Sequence, residues 1–310
     1  MAILTKERRR AVGYKASNVA FRVFRFVLIL GISYIILFPV LSKISSSFMP
    51  MRDLADQTVK WIPKHPTLDN YRLAIEVMNF PKTFFNSLFL SFLVSLLSLI
   101  SSTVVGYGLA RFDFKGKNLI LAAAIFTLVV PPQMIMVPLY LNWRFFDIFG
   151  LIPGKGFNLL GTYWPFILTS ITGTGLRNGL FILVMRQFFA GMPRNLEEAA
   201  YVDGAGPIRT FVTIMLPGAK ASMVTVFLFA FVWQWNDSFL TTLYLDNNFL
   251  PVALVNLSRT LAEYLAMNDV QYFSLITNAA SMLMIAPLLF MYAVLQQYFV
   301  ESIERTGLVG

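Results

Sequence analysis

The sequence predicts an all-α, polytopic membrane protein with six transmembrane helices, and three observations lead there. Of its 310 residues, 57% are hydrophobic and only 13% charged, with a mean hydropathy of +0.66. A soluble domain carries about 25% charged residues, so the apolar excess points to lipid as solvent. Second, six long apolar segments succeed one another between polar connections. Third, Lys and Arg concentrate in alternate connections, fifteen in those expected inside against eight in those expected outside. That is the positive-inside pattern, with both termini on the cytoplasmic side. The net charge of +9 therefore has a topological cause, and no nucleic-acid partner is expected.

Composition also excludes chemistry. Without Cys there is no disulfide, thiolate metal site or Cys nucleophile. The single His, His65, lies in a polar loop with only Asp69 and Glu76 near it, so a solvated His is expected rather than a metal site. No HExxH, GxSxG or intramembrane carboxylate pair occurs, and no span holds a His base. A passage is expected, not an enzyme.

The organisation follows in order. Residues 1–25 form a basic cytoplasmic tail, 26–300 the six-span domain and 301–310 a polar tail. The apolar run from Phe26 to Leu41 has no small-residue cleavage site after it and predicts an uncleaved first span. A proline-punctuated outer loop, 48–83, contains a short helix near Asp69–Ile75. The second span, Asn86–Leu109, aligns Ser87, Ser91, Ser95, Ser98 and Ser102 on one face. Such a ridge suits close helix packing in lipid, with pore lining as the sharper alternative.

The third span, 119–141, contains Pro131, Pro132 and Pro138 and predicts a kink, either a moving part or a fixed bend. In the next outer loop, 142–160, Gly154-Lys155-Gly156 does not complete a P-loop. The fourth span, 162–189, is interrupted around 169–179, where Arg177 and Asn178 sit at membrane depth. An intramembrane Arg is a functional candidate; capping a broken helix or pairing with another subunit are its alternatives. The fifth span, 219–243, carries Trp233, Gln234, Trp235 and Asn236, which suit either a water-filled passage or an interface anchor. A third outer loop, 244–272, precedes the sixth span, 273–300.

Between spans four and five lies a polar stretch, 192–217, far longer than a connection needs. It is patterned as two short helices joined at Gly204, a residue suited to positive φ. Asn195 and Glu198 have capping-box spacing. Gly206-Pro207 can open the second helix, and Ile208, Phe211, Val212 and Met215 fall on one face at α-helical period. Glu197, Glu198 and Asp203 put acid on the side where bases prevail, either as a solvated face or as a docking face for a basic partner.

Glu198-Ala199-Ala200, three residues, Gly204, nine residues, Ile214, one residue and Leu216-Pro217 resemble the EAA loop of bacterial ABC importer permeases. Asn86-Ser87-Leu88, Tyr107–Phe112, Pro138-Leu139-Tyr140, Arg186–Phe189 and Trp235-Asn236 are similar to its carbohydrate branch, and the whole looks like the maltose-type smaller permease. The resemblance implies a type I importer fold in the bacterial inner membrane. It implies a second homologous permease, two cytoplasmic ATP-binding subunits and an extracytoplasmic sugar-binding protein as partners. ATP and Mg would reside on the ATPases, with no cofactor or catalytic residue on this chain. Glu197, Glu198, Ala199, Ala200, Asp203, Gly204, Ala205, Phe211, Ile214, Leu216 and Pro217 would couple to the ATPase, and residues 244–272 would approach the binding protein. The C-terminal Gly307-Leu308-Val309-Gly310 lacks the Lys usual in the family tail. A permease for another solute, or a stand-alone secondary transporter, are the alternatives; the latter calls for internal repeats and buried coupling acids, and the spans show no repeat and no Asp or Glu except Asp237 near one end.

Overall fold

A computed structural model describes residues 2–147, 150, 154, 156–175 and 177–307, and for 2–18 and 298–307 the backbone course alone. The regular secondary structure of the described residues is helical, apart from one antiparallel bridge between Phe146 and Phe157. Two compact units emerge, Met1–Ala74 with Asn268–Met282, and Ile75–Met267 with Leu283–Gly310.

In the first unit, α1 (Ala2–Ser47) is one continuous helix, so the expected tail and first span are not separate elements. Nothing in the basic tail breaks a helix. The apolar part, Val19–Ser47, buries none of its most apolar window within the chain, as a lipid- or partner-facing helix would. Asn70 ties down the end of α1 by donating from Nδ2 to the carbonyls of Ser47 and Met49 at 3.0 and 2.9 Å. The loop beyond contains α2 (Met51–Ala55) and leads into α3 (Asp69–Val77), the short helix expected there.

His65 is not simply solvated. Its backbone N–H and its Nδ1 lie 2.8 and 2.9 Å from the carboxylate of Asp53, which is buried. Burial pushes the Asp53 carboxyl up, but the hydrogen bonds and charge of His65 outweigh it and hold the group below the usual carboxylate range. Asp56 is held well below that range by the Lys64 ammonium at 2.6 Å and by Thr58.

The second unit is organised on α4 (Phe80–Arg111), against which α7 (Trp164–Ile171), α8 (Asn178–Gly191), α12 (Lys220–Trp235) and α14 (Leu250–Leu265) pack. All five ridge serines are buried. The ridge continues into Gly106, where a Cβ would stand 2.7 Å from Met185 Cβ of α8. Packing is therefore the ridge's main role. Small size is not its only contribution: the Leu250 N–H donates to Ser87 Oγ at 2.7 Å, satisfying an orphan donor at the start of α14.

The third apolar segment is broken rather than kinked. Helix α5 (Lys117–Val129) meets a 3₁₀ turn at Pro132–Ile135 and then α6 (Met136–Arg144), with 98° between the two arms. Val130 and Pro131 are extended, because each precedes a proline and two adjacent prolines remove two helix donors. The fourth segment is interrupted as expected: α7 and α8 are separated by 172–177. The fifth ends early, at Trp235. Residues 236–238 form a corner before α13 (Phe239–Tyr244). There Asp237 accepts the N–H groups of Leu240 and Thr241, at 3.4 and 3.0 Å.

The third outer loop is largely helix α14. Its buried Leu250, Leu257 and Leu261 share one face, and Pro251 occupies its first turn. The sixth segment is α15 (Val270–Gly307). Among the described residues three helices are individually long and apolar enough to cross a membrane, Val19–Ser47, Phe80–Arg111 and Val270–Gln297, or up to five if each bent pair is one span. The expected count of six is not reached on that criterion.

Candidate functional site

The polar stretch after α8 folds as α9 (Asn195–Val202), a turn, α10 (Pro207–Thr210), a π turn at Phe211–Met215 and α11 (Leu216–Gly218). Two helices meet at Gly204, whose φ is +79°. The Ala205 N–H bonds back to Ala200 O and the Gly204 N–H to Tyr201 O, the paired bonds of a Schellman ending. Pro207 opens α10 as expected. The capping box does not form: α9 follows Arg194 in helical conformation, and no side chain caps it. Pro193 supplies the carbonyl for the first turn instead.

The expected single apolar face from Ile208 to Met215 is split. Met215 is buried and Phe211 half-buried, whereas Ile208 and Val212 point outward. The covered side runs instead through Thr210, Phe211 and Met215, and in the π turn the Leu216 N–H reaches back five residues to Phe211 O. The wider turn also accommodates Pro217, whose ring would crowd the preceding turn of a regular α-helix.

A buried polar cluster anchors the segment to α4. Arg111 Nε lies 3.3 Å from Glu197 Oε2, Tyr107 OH donates to Glu197 Oε1 at 2.8 Å, and Arg111 Nη2 donates to Met192 O at 2.7 Å. The Arg111 and Glu197 side chains are 6% and 10% exposed. The ring of Tyr107 packs on Phe211 and Phe189. The outer surface of the same segment is open: Glu198, Tyr201, Asp203 and Arg209 are exposed, with Val202 88% and Ile208 81% exposed. Bare apolar side chains beside free charges mark an interaction surface.

A second feature lies where α7 breaks from α8. A cavity of about 170 Å³ is lined by Ser98, Gln133, Thr174, Arg177, Asn178, Phe181, Trp233, Gln234 and Asp237, among others. The Arg177 guanidinium stacks 5.0 Å from the centre of the Trp233 ring and donates to Trp233 O at 3.3 Å. Asn178 is buried in the wall, bonded to Ser98 Oγ and Ser170 O at 3.4 Å each. Gln234 Nε2 is buried without a hydrogen-bond partner among the described residues. The surface can hold a ring against aromatic faces while amide and guanidinium groups orient it.

Residues 102–305 match the model of the binding-protein-dependent transport system inner membrane component. The chain belongs to that family. Two relatives illustrate the range of this permease family. The arabinooligosaccharides transport system permease protein AraQ of Halalkalibacterium halodurans is 28% identical, over 90% of this chain and 93% of its own. The diacetylchitobiose uptake system permease protein NgcG of Streptomyces coelicolor is 29% identical, over 94% and 90%. The fold matches a chain from the crystal structure of a bacterial ABC transporter involved in the import of the acidic polysaccharide alginate. Its TM-score is 0.72 at 20% identity, covering 91% of this chain and 98% of that one.

The permease thus brings four of the six expected path residues, Arg177, Asn178, Trp233 and Gln234, to one cavity. Trp235 and Asn236 do not join it. Trp235 is fully buried, donating from Nε1 to Met284 O at 3.0 Å and stacking on Phe231. Asn236 bonds back to Val232 O in its own helix. Adjacent residues on a helix face different ways, so a run of polar residues could not all line one passage. In the expected coupling set, Glu197 and Ala200 face inward, Phe211, Ile214, Leu216 and Ala205 are half-buried, and Glu198, Ala199, Asp203, Gly204 and Pro217 are exposed. Only the exposed group can meet a partner directly. Sequence reasoning missed Tyr107 and Arg111 as the anchors of Glu197. No local pattern links residues ninety apart in the chain, though a charged Arg at the end of an apolar span did call for an acid somewhere. The departure in the C-terminal tail lies mostly outside the described residues.

Proposed function

We propose that this chain is a membrane-spanning permease subunit of an ATP-driven, binding-protein-dependent sugar importer. The observation that carries the reading is the α9–α10 segment, which is clamped inward by Glu197 and left bare outward at Glu198, Tyr201, Val202 and Ile208. A loop that served only to connect spans would not need a buried ion pair on one side and exposed apolar side chains on the other. Oligosaccharide names among relatives aligned over nine-tenths of the chain support a sugar as cargo. The aromatic and amide lining of the cavity is chemically suited to one.

In this reading the chain forms the path with a second permease, in a six-span, N-in and C-in topology in the bacterial inner membrane. An outer binding protein delivers the sugar, and two cytoplasmic ATPases bind ATP and Mg. The ATPase pushes on the exposed face of α9 and α10. The buried Glu197–Arg111 pair, together with Tyr107, passes that displacement to α4, whose ridge holds α7, α8 and α14. The permease's own residues hydrolyse nothing; they bind, orient and move.

The reading is tested in vesicles carrying the complete importer. Labelled oligosaccharide should accumulate only with ATP inside and binding protein outside. Accumulation driven by an ion gradient without ATP would sink it in favour of a secondary transporter.

A further inference from the structure

The Arg177 cation sits exposed in the cavity wall, with the through-space charge of Asp237 opposing it but no ion pair. Among the described residues no carboxylate lies within ion-pair distance of it. Its contacts are the neutral carbonyl of Trp233 at 3.3 Å and the Trp233 ring. A guanidinium offers five N–H donors in a planar fork, so most of its hydrogen-bonding capacity is unspent. A charge placed at membrane depth and open to a cavity is a functional candidate.

Its position strengthens the positive charge of the site. Arg177 immediately precedes α8, at the helix's N-terminal end. The positive end of the helix dipole therefore adds to the guanidinium charge instead of cancelling it. The one carboxylate in the cavity wall, Asp237, is turned to α13: it accepts the N–H groups of Leu240 and Thr241 and, at 3.2 Å, the Thr241 hydroxyl. Beside it, Gln234 Nε2 is a buried donor with no acceptor. The free groups of this wall are thus donors and positive charge, arranged against the ring faces of Trp233 and Phe181, whose centroids are 5.5 Å apart.

We propose that the cargo is an anionic, uronate-containing oligosaccharide, and that Arg177 is the residue that binds its carboxylate. The inference rests on the sugar-importer reading and narrows its substrate class. A forked guanidinium matches a carboxylate with two parallel hydrogen bonds, which a neutral hydroxymethyl group cannot supply. Gln234 Nε2 supplies a further donor to the same anion or to a neighbouring hydroxyl.

The test uses the complete importer in phosphatidylcholine vesicles, where no lipid of net negative charge competes for Arg177. Uptake of a hexuronate trisaccharide is compared with uptake of the same trisaccharide after carboxyl reduction, for wild type, Arg177→Gln and Arg177→Lys. The binding protein is the same throughout, so its own preference cancels when the uptake ratio is compared between variants. The expected result is wild-type uptake of the anionic form, a fall of about tenfold or more in the anionic-to-neutral ratio for Arg177→Gln, and partial recovery for Arg177→Lys. An equal loss of both substrates in Arg177→Gln would overturn the proposal, because it would make Arg177 a structural group or the partner of an acid on the second permease. Wild-type uptake of the neutral form alone would overturn it too, while leaving the sugar reading intact. Failure of wild type to take up any oligosaccharide would overturn both.

Discussion

Two arginines sit at the margins of apolar helices in this permease, and their surroundings are opposite. Arg111 ends α4 with its side chain almost wholly covered, against Glu197 and the carbonyl of Met192. Arg177 stands at the break before α8, open to a cavity, against an aromatic face and a single carbonyl. The first spends its charge within the chain and locks one element to another. The second keeps its charge available. The comparison teaches that an intramembrane or near-membrane charge is read by its partners: one ion-paired within the chain is a clamp, one without an ion pair faces a ligand.

The largest effect should come from breaking the clamp. Glu197→Leu leaves Arg111 buried and unpaired, and is expected to destabilise the permease by about 3–5 kcal/mol. Thermal inactivation of the purified complex would measure it. Adding Arg111→Met should recover most of that loss, since removing both charges together leaves neither unpaired; equal or greater instability in the double variant would break the clamp side of the comparison.

Gly204→Val comes next. At φ +79° a side chain costs about 1–2 kcal/mol in the backbone, yet a Cβ there meets nothing within 4 Å. The expected outcome is modest destabilisation confined to the α9–α10 turn, visible as faster amide exchange there and not in α4. Arg177→Gln should cost less again in stability, about 0.5–1 kcal/mol for the lost ring contact, despite its selective effect on transport. A loss as large as that of Glu197→Leu would erase the contrast between the two arginines.

The smallest effect concerns a third charged group, Asp53, which is paired like Glu197 but at a loop. Asp53 and Asp56 both have carboxyl pKa values lowered in the folded chain. Their contribution is therefore fully present above the unfolded value of about 3.9 and is lost as pH falls through the folded values. Protease resistance of residues 48–68 should stay flat from neutral pH to about 5 and decline below about 4. A decline already under way above pH about 5 would instead show that the loop's order does not rest on these two carboxylates.

Much of this was legible in the sequence, for identifiable reasons. The serine ridge, the broken segment at 169–179 and the Gly204 turn are local patterns whose physics acts within a few residues. What was not legible depended on the rest of the chain. The π turn at Phe211–Met215 arises where Pro217 must be accommodated within a continuing helix, and Phe211 and Met215 are covered by residues far along the chain, Tyr107 among them. Helix α14 reads as loop in the sequence because half its surface is polar; its burial on α4 and its bond to Ser87 come from distant sequence. Glu197 looked equivalent to Glu198 in the sequence, and only the fold separates the inward acid from the outward one.

That separation is also the most direct test of how the permease is driven. ATP hydrolysis and oligosaccharide uptake should be measured together, in vesicles holding the complete importer, for wild type and Glu198→Arg. Glu198 is exposed, and among the described residues its side chain makes no hydrogen bond or ion pair. The account predicts normal insertion and a fall of about tenfold in sugar moved per ATP hydrolysed, comparable to losing one charge-assisted contact. An unchanged ratio in that variant would contradict it, because the exposed face of α9 would then not be where the ATPase pushes.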